Sequence, residues 1–274
     1  MNGLLGVIAL LVLLTLGVPI GVSMCIVGLV GLVLLLGPEP ALIKASTVLF
    51  ETITRYELGV LPLFLLMAHL CFAAGASRDF FEAAARMVGH RRGGLAIASI
   101  AGCAGFGTVS GSSLATAATI GLIGLPEMRK RGYSDALATG AIAAGGTLGS
   151  IIPPSGALIV FGILAEVSIG KLFTAAIIPG VTQALFYVVT IMLLCRWRPS
   201  IGPATPKASW AERRAALLRM LDLLLLVLLV LGGIALGWFT PTEAASVGAV
   251  GALALCALRR KLTYAALVDA LSQT

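Results

Sequence analysis

Charge is what this sequence has least of. Aspartate, glutamate, lysine and arginine make up 11% of its 274 residues, against about 25% in a soluble domain. None falls in the first 38 residues, and none between Ala136 and Ala165. Roughly 20 uncharged apolar residues already cross a bilayer, so a soluble globular fold is excluded and an all-α polytopic membrane protein is expected. Histidine is almost missing, with His69 and His90 the only two. Neither stands in an H-E-x-x-H pattern, and no G-x-S-x-G frames the serines discussed below. The five cysteines, at 25, 71, 103, 195 and 256, have no metal-type spacing and read as small packing residues. No basic stretch precedes the first apolar run, so no cleavable signal peptide is expected.

What charge there is leans positive, with a formal net of +7. In a soluble protein that excess would suggest nucleic acid. Here lysine and arginine collect between apolar runs, as cytoplasmic loops of a membrane protein require, so the partner is the lipid bilayer and no nucleic acid is expected.

The most informative stretch is 145–156, GGTLGSIIPPSG, set inside the uncharged run. Pro153 and Pro154 carry no N–H, proline disfavours a helical residue before it, and the four glycines need no side-chain room. A helix over 134–166 is therefore expected to break near the bilayer midplane. Backbone groups freed there cannot face lipid, since each unsatisfied one costs several kcal/mol. They must line a protein cavity or bind something. The first half-helix turns its carbonyl end to the gap and the second its N–H end, which suits a cation on one side and an anion on the other.

Read in order, residues 3–16 and 19–37 form an apolar pair joined by a Gly/Pro turn. Residues 38–57, with Lys44, Glu51, Arg55 and Glu57, suit an interface. A third span is expected over 58–75. An amphipathic helix follows from Ser77 to Arg92, with Asp79 and Glu82 resembling a capped start. Two uncharged arms, 94–106 and 113–126, are joined by a Gly/Ser/Thr-rich tip over 105–113. About 13 residues make roughly 20 Å of helix, too short to cross about 30 Å. Both outer ends are basic, so positive-inside logic makes this region, 93–128, a re-entrant hairpin. Residues 172–195 return to the basic side. A cytoplasmic linker over 197–220, its second half an interfacial helix from Ala208, leads to an outward span over 221–238. Thr240, Pro241 and Glu243 form a capping box for the last span.

Val27-Gly-Leu-Val-Gly31 and Val247-Gly-Ala-Val-Gly251 repeat on helices expected to run in opposite directions, which suggests an inverted-topology repeat. The first repeat would occupy 1–196, with scaffold helices over 3–75, and 221–274 would begin a second, incomplete one. Three function classes fit these features: a transporter, a non-transporting membrane scaffold that binds partner subunits, and an intramembrane serine hydrolase built on Ser110-Gly-Ser-Ser113. The last lacks a base beside its serines, and no enzyme is expected.

Gly149-Ser-Ile-Ile-Pro-Pro-Ser155, the run from Phe239 to Ala249, Leu61-Pro-Leu-Phe-Leu-Leu-Met67 and Gly93-Gly-Leu-Ala-Ile-Ala98 together resemble the large membrane subunit, the DctM type, of tripartite ATP-independent periplasmic (TRAP) transporters. The resemblance covers essentially the whole chain. It implies a multi-pass protein of the bacterial inner membrane and an elevator-type, sodium-coupled uptake system for a small organic acid such as a dicarboxylate. It also implies a small four-helix membrane subunit and a periplasmic solute-binding protein as partners. No cofactor is implied beyond sodium as the coupling ion. Carried onto this sequence, the cation site uses Thr108, Ser110 and Gly111 of the hairpin tip with Thr147, Gly149, Ser150, Ile152 and Pro153 of the break, and the substrate carboxylate rests near Ser112, Ser113 and Ser155. Members of the family carry a second hairpin and a second broken helix, which this chain lacks.

Overall fold

The computed structural model describes residues 2–54 and 56–274, and among them every regular element is helical. The chain divides into two compact units, Met1–Leu58 and Gly59–Thr274. The first holds α1 (Asn2–Thr15), α2 (Ile20–Leu36) and α3 (Pro38–Ile53). Turns at Gly17 and Gly37 join them, both at positive φ, where a side chain would be strained. This is the expected apolar pair followed by a charged helix, with Lys44 and Glu51 exposed on α3. Arg55, read as part of the same charged segment, lies outside the described residues.

The second unit runs α4 (Val60–Ala74), α5 (Ala76–Val88), α6 (Gly94–Ser110), α7 (Ser113–Lys130), α8 (Asp135–Ile151), α9 (Gly156–Leu164), α10 (Ile169–Trp197), α11 (Trp210–Ala235), α12 (Pro241–Leu258) and α13 (Tyr264–Ser272). Among the described residues, α8 with α9, α10, α11 and α12 are each long and apolar enough to cross a bilayer, and α4 with α5 adds a fifth if that bent pair is one span. The chain is a multi-pass membrane protein.

The basic loops of this unit gather at one end. Gly93 N donates to Gly202 O at 2.8 Å, Thr205 N to Gly89 O at 3.0 Å, and Ser134 N to Ile201 O at 2.9 Å. Ion pairs Arg86–Glu212 at 3.1 Å and Arg219–Glu82 at 4.0 Å lay α5 antiparallel along the first half of α11. At the opposite end the α9–α10 and α11–α12 connections meet, where a Cβ on Gly170 would touch Ile234 and Pro241.

Several boundaries differ from the sequence expectation, each for a physical reason. The third span, expected over 58–75, is α4, capped by Gly75, and there, in the left-handed region with φ +91°, the chain bends by 61° into α5. Asp79 does not cap α5, because Gly75 takes that position and the Asp79 carboxylate turns to Arg259. The hairpin arms are 17 and 18 residues long and only Gly111 and Ser112 separate them. Glycines expected to unwind α6 are instead packing notches within it. A Cβ on Gly105 would lie 2.5 Å from the Phe80 ring, and one on Gly107 would lie 2.9 Å from Gly149 Cα. At roughly 25–27 Å the arms remain shorter than the hydrocarbon core. The interfacial helix expected over 208–220 is the first half of the continuous α11, since no proline or glycine interrupts 210–231. A capping box of Ser209 and Glu212 starts it, and the one expected at Thr240 and Glu243 starts α12.

Gly105→Ala should be less stable than Gly140→Ala, whose Cβ meets nothing within 4 Å, by about 1–3 kcal/mol, the usual range for overpacking. Both changes carry the same gain in helix propensity, so reversible unfolding in detergent isolates the steric difference. Equal stability of the two variants would contradict the tight Phe80 contact.

Candidate functional site

The site is where the hairpin tip meets the broken helix. The break is shorter than the glycines suggested: α8 continues through Gly145, Gly146 and Gly149 to Ile151, and only Ile152–Ser155 are non-helical, with a cis bond between Pro153 and Pro154. The three glycines let the hairpin approach. A Cβ on Gly145 would lie 2.9 Å from Cys103 Sγ, one on Gly146 would lie 2.6 Å from Ala117 Cβ, and one on Gly149 would lie 2.5 Å from Thr116 Oγ1 and 2.8 Å from Ser112 O.

At the tip, Gly111 has φ +60° and sits so close to the break that a Cβ there would lie 2.8 Å from Pro154 O. Gly156 N, the first amide of α9, donates to Gly111 O at 3.4 Å. Ser110 Oγ and Thr116 Oγ1 are 2.6 Å apart and bind the two arms together. Ser112 caps α7, accepting from Ala115 N at 3.4 Å. Across the break, Ser155 is fully buried and its hydroxyl donates to Ser150 O at 2.6 Å, while Ser150 Oγ donates to Thr147 O at 3.0 Å. Pro153 and Pro154 are buried, and Ile152 packs on Gly180 of α10.

Two helices therefore end here, α6 and α8, and two begin, α7 and α9. The last four carbonyls of a helix have no partner within it. Here Gly107 O, Leu148 O and Ser150 O find donors in Gly111 N, Ile152 N and Ser155 Oγ. Among the described residues that leaves the carbonyls of Thr108, Val109 and Ser110 on α6 and of Gly149 and Ile151 on α8 without a donor, at the negative ends of two helix dipoles. The first amides of α7 and α9 supply the positive ends. No charged side chain occurs in 94–126 or 136–165. Among the described residues no three of His, Cys, Asp and Glu cluster as metal ligands. The electrostatics of the site are those of backbone dipoles and hydroxyls.

The structure brings Gly111 of the tip against Pro154 and Ser155, Ser112 against Gly149 and Ser113 against Gly146, while Ser110 is tied within the hairpin to Thr116 and Ser150 within the break to Ser155. The Thr108 hydroxyl turns back to Gly105 O at 2.6 Å, leaving its carbonyl at the end of α6. Thr147 is oriented differently: its hydroxyl lies 3.1 Å from Tyr187 OH and accepts from Gln183 Nε2 at 3.1 Å, both on α10. Gln183 Nε2 also donates to Tyr187 OH at 2.6 Å. Sequence reading did not single out Gln183 and Tyr187. The signal available was their polarity in the middle of an apolar span, where polar groups are rare.

A helical membrane protein with a hairpin tip closing on a broken helix has the layout of a secondary-transporter half. Comparison with known proteins makes this particular. Residues 7–274 match the family model described as tripartite ATP-independent periplasmic transporter, DctM component. The chain is 41% identical over 224 residues to the C4-dicarboxylate TRAP transporter large permease protein DctM of Pseudomonas aeruginosa, covering 81% of this chain and 52% of that protein. It is 34% identical over 259 residues to the sialic acid TRAP transporter large permease protein SiaM of Vibrio cholerae, covering 94% and 60%. With the ectoine TRAP transporter large permease protein TeaC of Halomonas elongata it shares 33% over 234 residues, covering 85% and 54%. The chain belongs to the DctM family, a family of transport proteins and not of enzymes. It spans about half the length of the curated relatives it matches.

Close approach at Gly149 can be tested directly. Gly149→Ala should lift the tip from the break, so a cysteine placed at Ser112 reacts faster with a polar maleimide than in the parent chain. An unchanged rate would contradict the contact with Ser112 O and Thr116.

Proposed function

We propose that this chain forms part of the large permease subunit of a TRAP transporter and contributes one cation site to sodium-coupled uptake of a small organic acid. The observation that carries this reading is the meeting of two helix C-termini and two helix N-termini at one place without any charged side chain. Na⁺ is a hard cation that takes several oxygen ligands. The free carbonyls of Thr108, Ser110 and Gly149 at the ends of α6 and α8, with the hydroxyl oxygens of Ser110 and Ser150, offer such a set, and the backbones of Gly111, Ile152 and Pro153 complete it. Thr147 borders the set from the α10 side. Ser112 and Ser113, with the amides opening α7 and α9, suit the carboxylate of the substrate. Ser155 acts here through its place at the start of α9, its hydroxyl being engaged with Ser150 O.

A dicarboxylate is the substrate class favoured by the relatives named for C4-dicarboxylates. The working assembly includes a small four-helix membrane subunit and a periplasmic solute-binding protein in the bacterial inner membrane, and transport proceeds by an elevator movement of the hairpin and broken helix. A membrane scaffold that binds partner subunits without transport is the second reading. Uptake by proteoliposomes holding this chain with its small subunit and binding protein separates the two.

The cation site itself is testable on the chain alone. Sodium should raise the unfolding midpoint, with a stabilisation of about 2.7 kcal/mol when free sodium is about a hundredfold above its dissociation constant. Potassium or choline at equal ionic strength should not. Ser150→Leu and Pro153→Leu should insert normally and lose the sodium response. An equal response to potassium, or full retention in both variants, would overturn the assignment.

A further inference from the structure

Arg259, directly after α12, uses every N–H it has. Nε and Nη2 donate to the two carboxylate oxygens of Asp222 on α11, at 2.9 and 2.6 Å. Nη2 also donates to Arg219 O at 2.5 Å. Nη1 donates to the Asp79 carboxylate on α5 and, at 3.2 Å, to Ala74 O at the end of α4. A guanidinium has five N–H donors in a rigid fork, and five acceptors meet them. The side chains of Arg259 and Asp79 are only 18% and 14% exposed, so water does little to loosen the pair. Burial works against the charge of Arg259, but the hydrogen bonds and charges of Asp222 and Asp79 outweigh it, and its pKa lies above the ordinary arginine value.

Two of these acceptors straddle the α4–α5 bend: Ala74 before Gly75, and Asp79 after it. Lys261 Nζ donates to the same Ala74 carbonyl at 3.1 Å, and a Cβ on Gly75 would lie 2.6 Å from that Nζ. The bend itself has no side chain to stiffen it. Apolar burial favours contact but is non-directional, whereas a forked, charge-assisted set of hydrogen bonds fixes direction. Beyond the bend, α5 is keyed to the hairpin. Phe80 fills the notch at Gly105, and Phe81 packs on Gly102 and Gly124. On the near side, α4 is keyed to α12, where a Cβ on Gly248 would lie 2.5 Å from Met67 Sδ.

We propose that Arg259 is a positioning residue: by bonding Ala74 on one side of Gly75 and Asp79 on the other, it sets the angle at the α4–α5 joint and, through α5, the stance of the hairpin tip relative to α4 and α12. The inference rests on the fold and holds whether or not the site takes sodium.

Spin labels on Leu122 of α7 and Val250 of α12, both exposed, report the stance as a distance distribution by pulsed electron resonance in nanodiscs. Cys25, the one exposed native cysteine, is replaced first. Asp79→Asn should shift the distribution or broaden it about twofold. Asp222→Asn cuts a bond that does not cross the bend, so it should lower the unfolding midpoint while leaving the distribution narrow. Arg259→Lys keeps the charge without the fork and should broaden the distribution as much as Arg259→Gln. A narrow, parental distribution in Asp79→Asn, or rescue by Arg259→Lys, would overturn the proposal, as would equal broadening by Asp222→Asn. Because no cation enters the measurement, its failure leaves the sodium reading standing, and the reverse also holds.

Discussion

A backbone carbonyl or amide in hydrocarbon must find a partner, and the second unit is arranged around one place where the helix cannot provide it. Pro153 and Pro154 open α8 to α9, and the groups released there are met from two sides. Ser155 spans the gap to Ser150 O, and the hairpin tip brings Gly111 O to Gly156 N. What stays unmatched is a set of carbonyl oxygens at two negative helix ends and amides at two positive ones. Leaving them bare in lipid would cost several kcal/mol per group, so a break of this kind must line a protein cavity or bind something.

The same place explains why glycine is abundant in the hairpin and α8. Backbones carrying ordinary side chains pack at interaxial distances of about 8–10 Å, too far apart for a tip of two residues to reach a break of four. At Gly107, Gly145, Gly146 and Gly149 the missing Cβ atoms bring the helices together. Small residues at helix contacts are how membrane proteins gain close packing when water supplies no drive between helices. The notch at Gly105 does the same for α5, which ties the position of the tip to the bend at Gly75.

This division also shows what the sequence could and could not disclose. The broken helix was legible because proline removes a donor wherever it stands, and the hairpin because a Gly/Ser/Thr-rich tip parts two uncharged arms with basic outer ends. The capping box at Thr240 was legible from its spacing. The identical spacing of Ser209 and Glu212 carried the same signal and marks the start of α11. Arm lengths were misjudged because a glycine reads alike whether it unwinds a helix or admits a neighbour, and only the neighbour decides. Long-range polar groupings were out of reach. Nothing local couples Thr147 to Gln183 and Tyr187, or Arg259 to Asp79 180 residues earlier.

Hydrogen–deuterium exchange of this chain in nanodiscs reads out whether tip and break form one cation site from backbone oxygens. With such a site, replacing potassium by sodium slows amide exchange in peptides covering 108–116 and 149–158 together, with no change in α12. Slowing in only one of the two segments, or none in either, would contradict it.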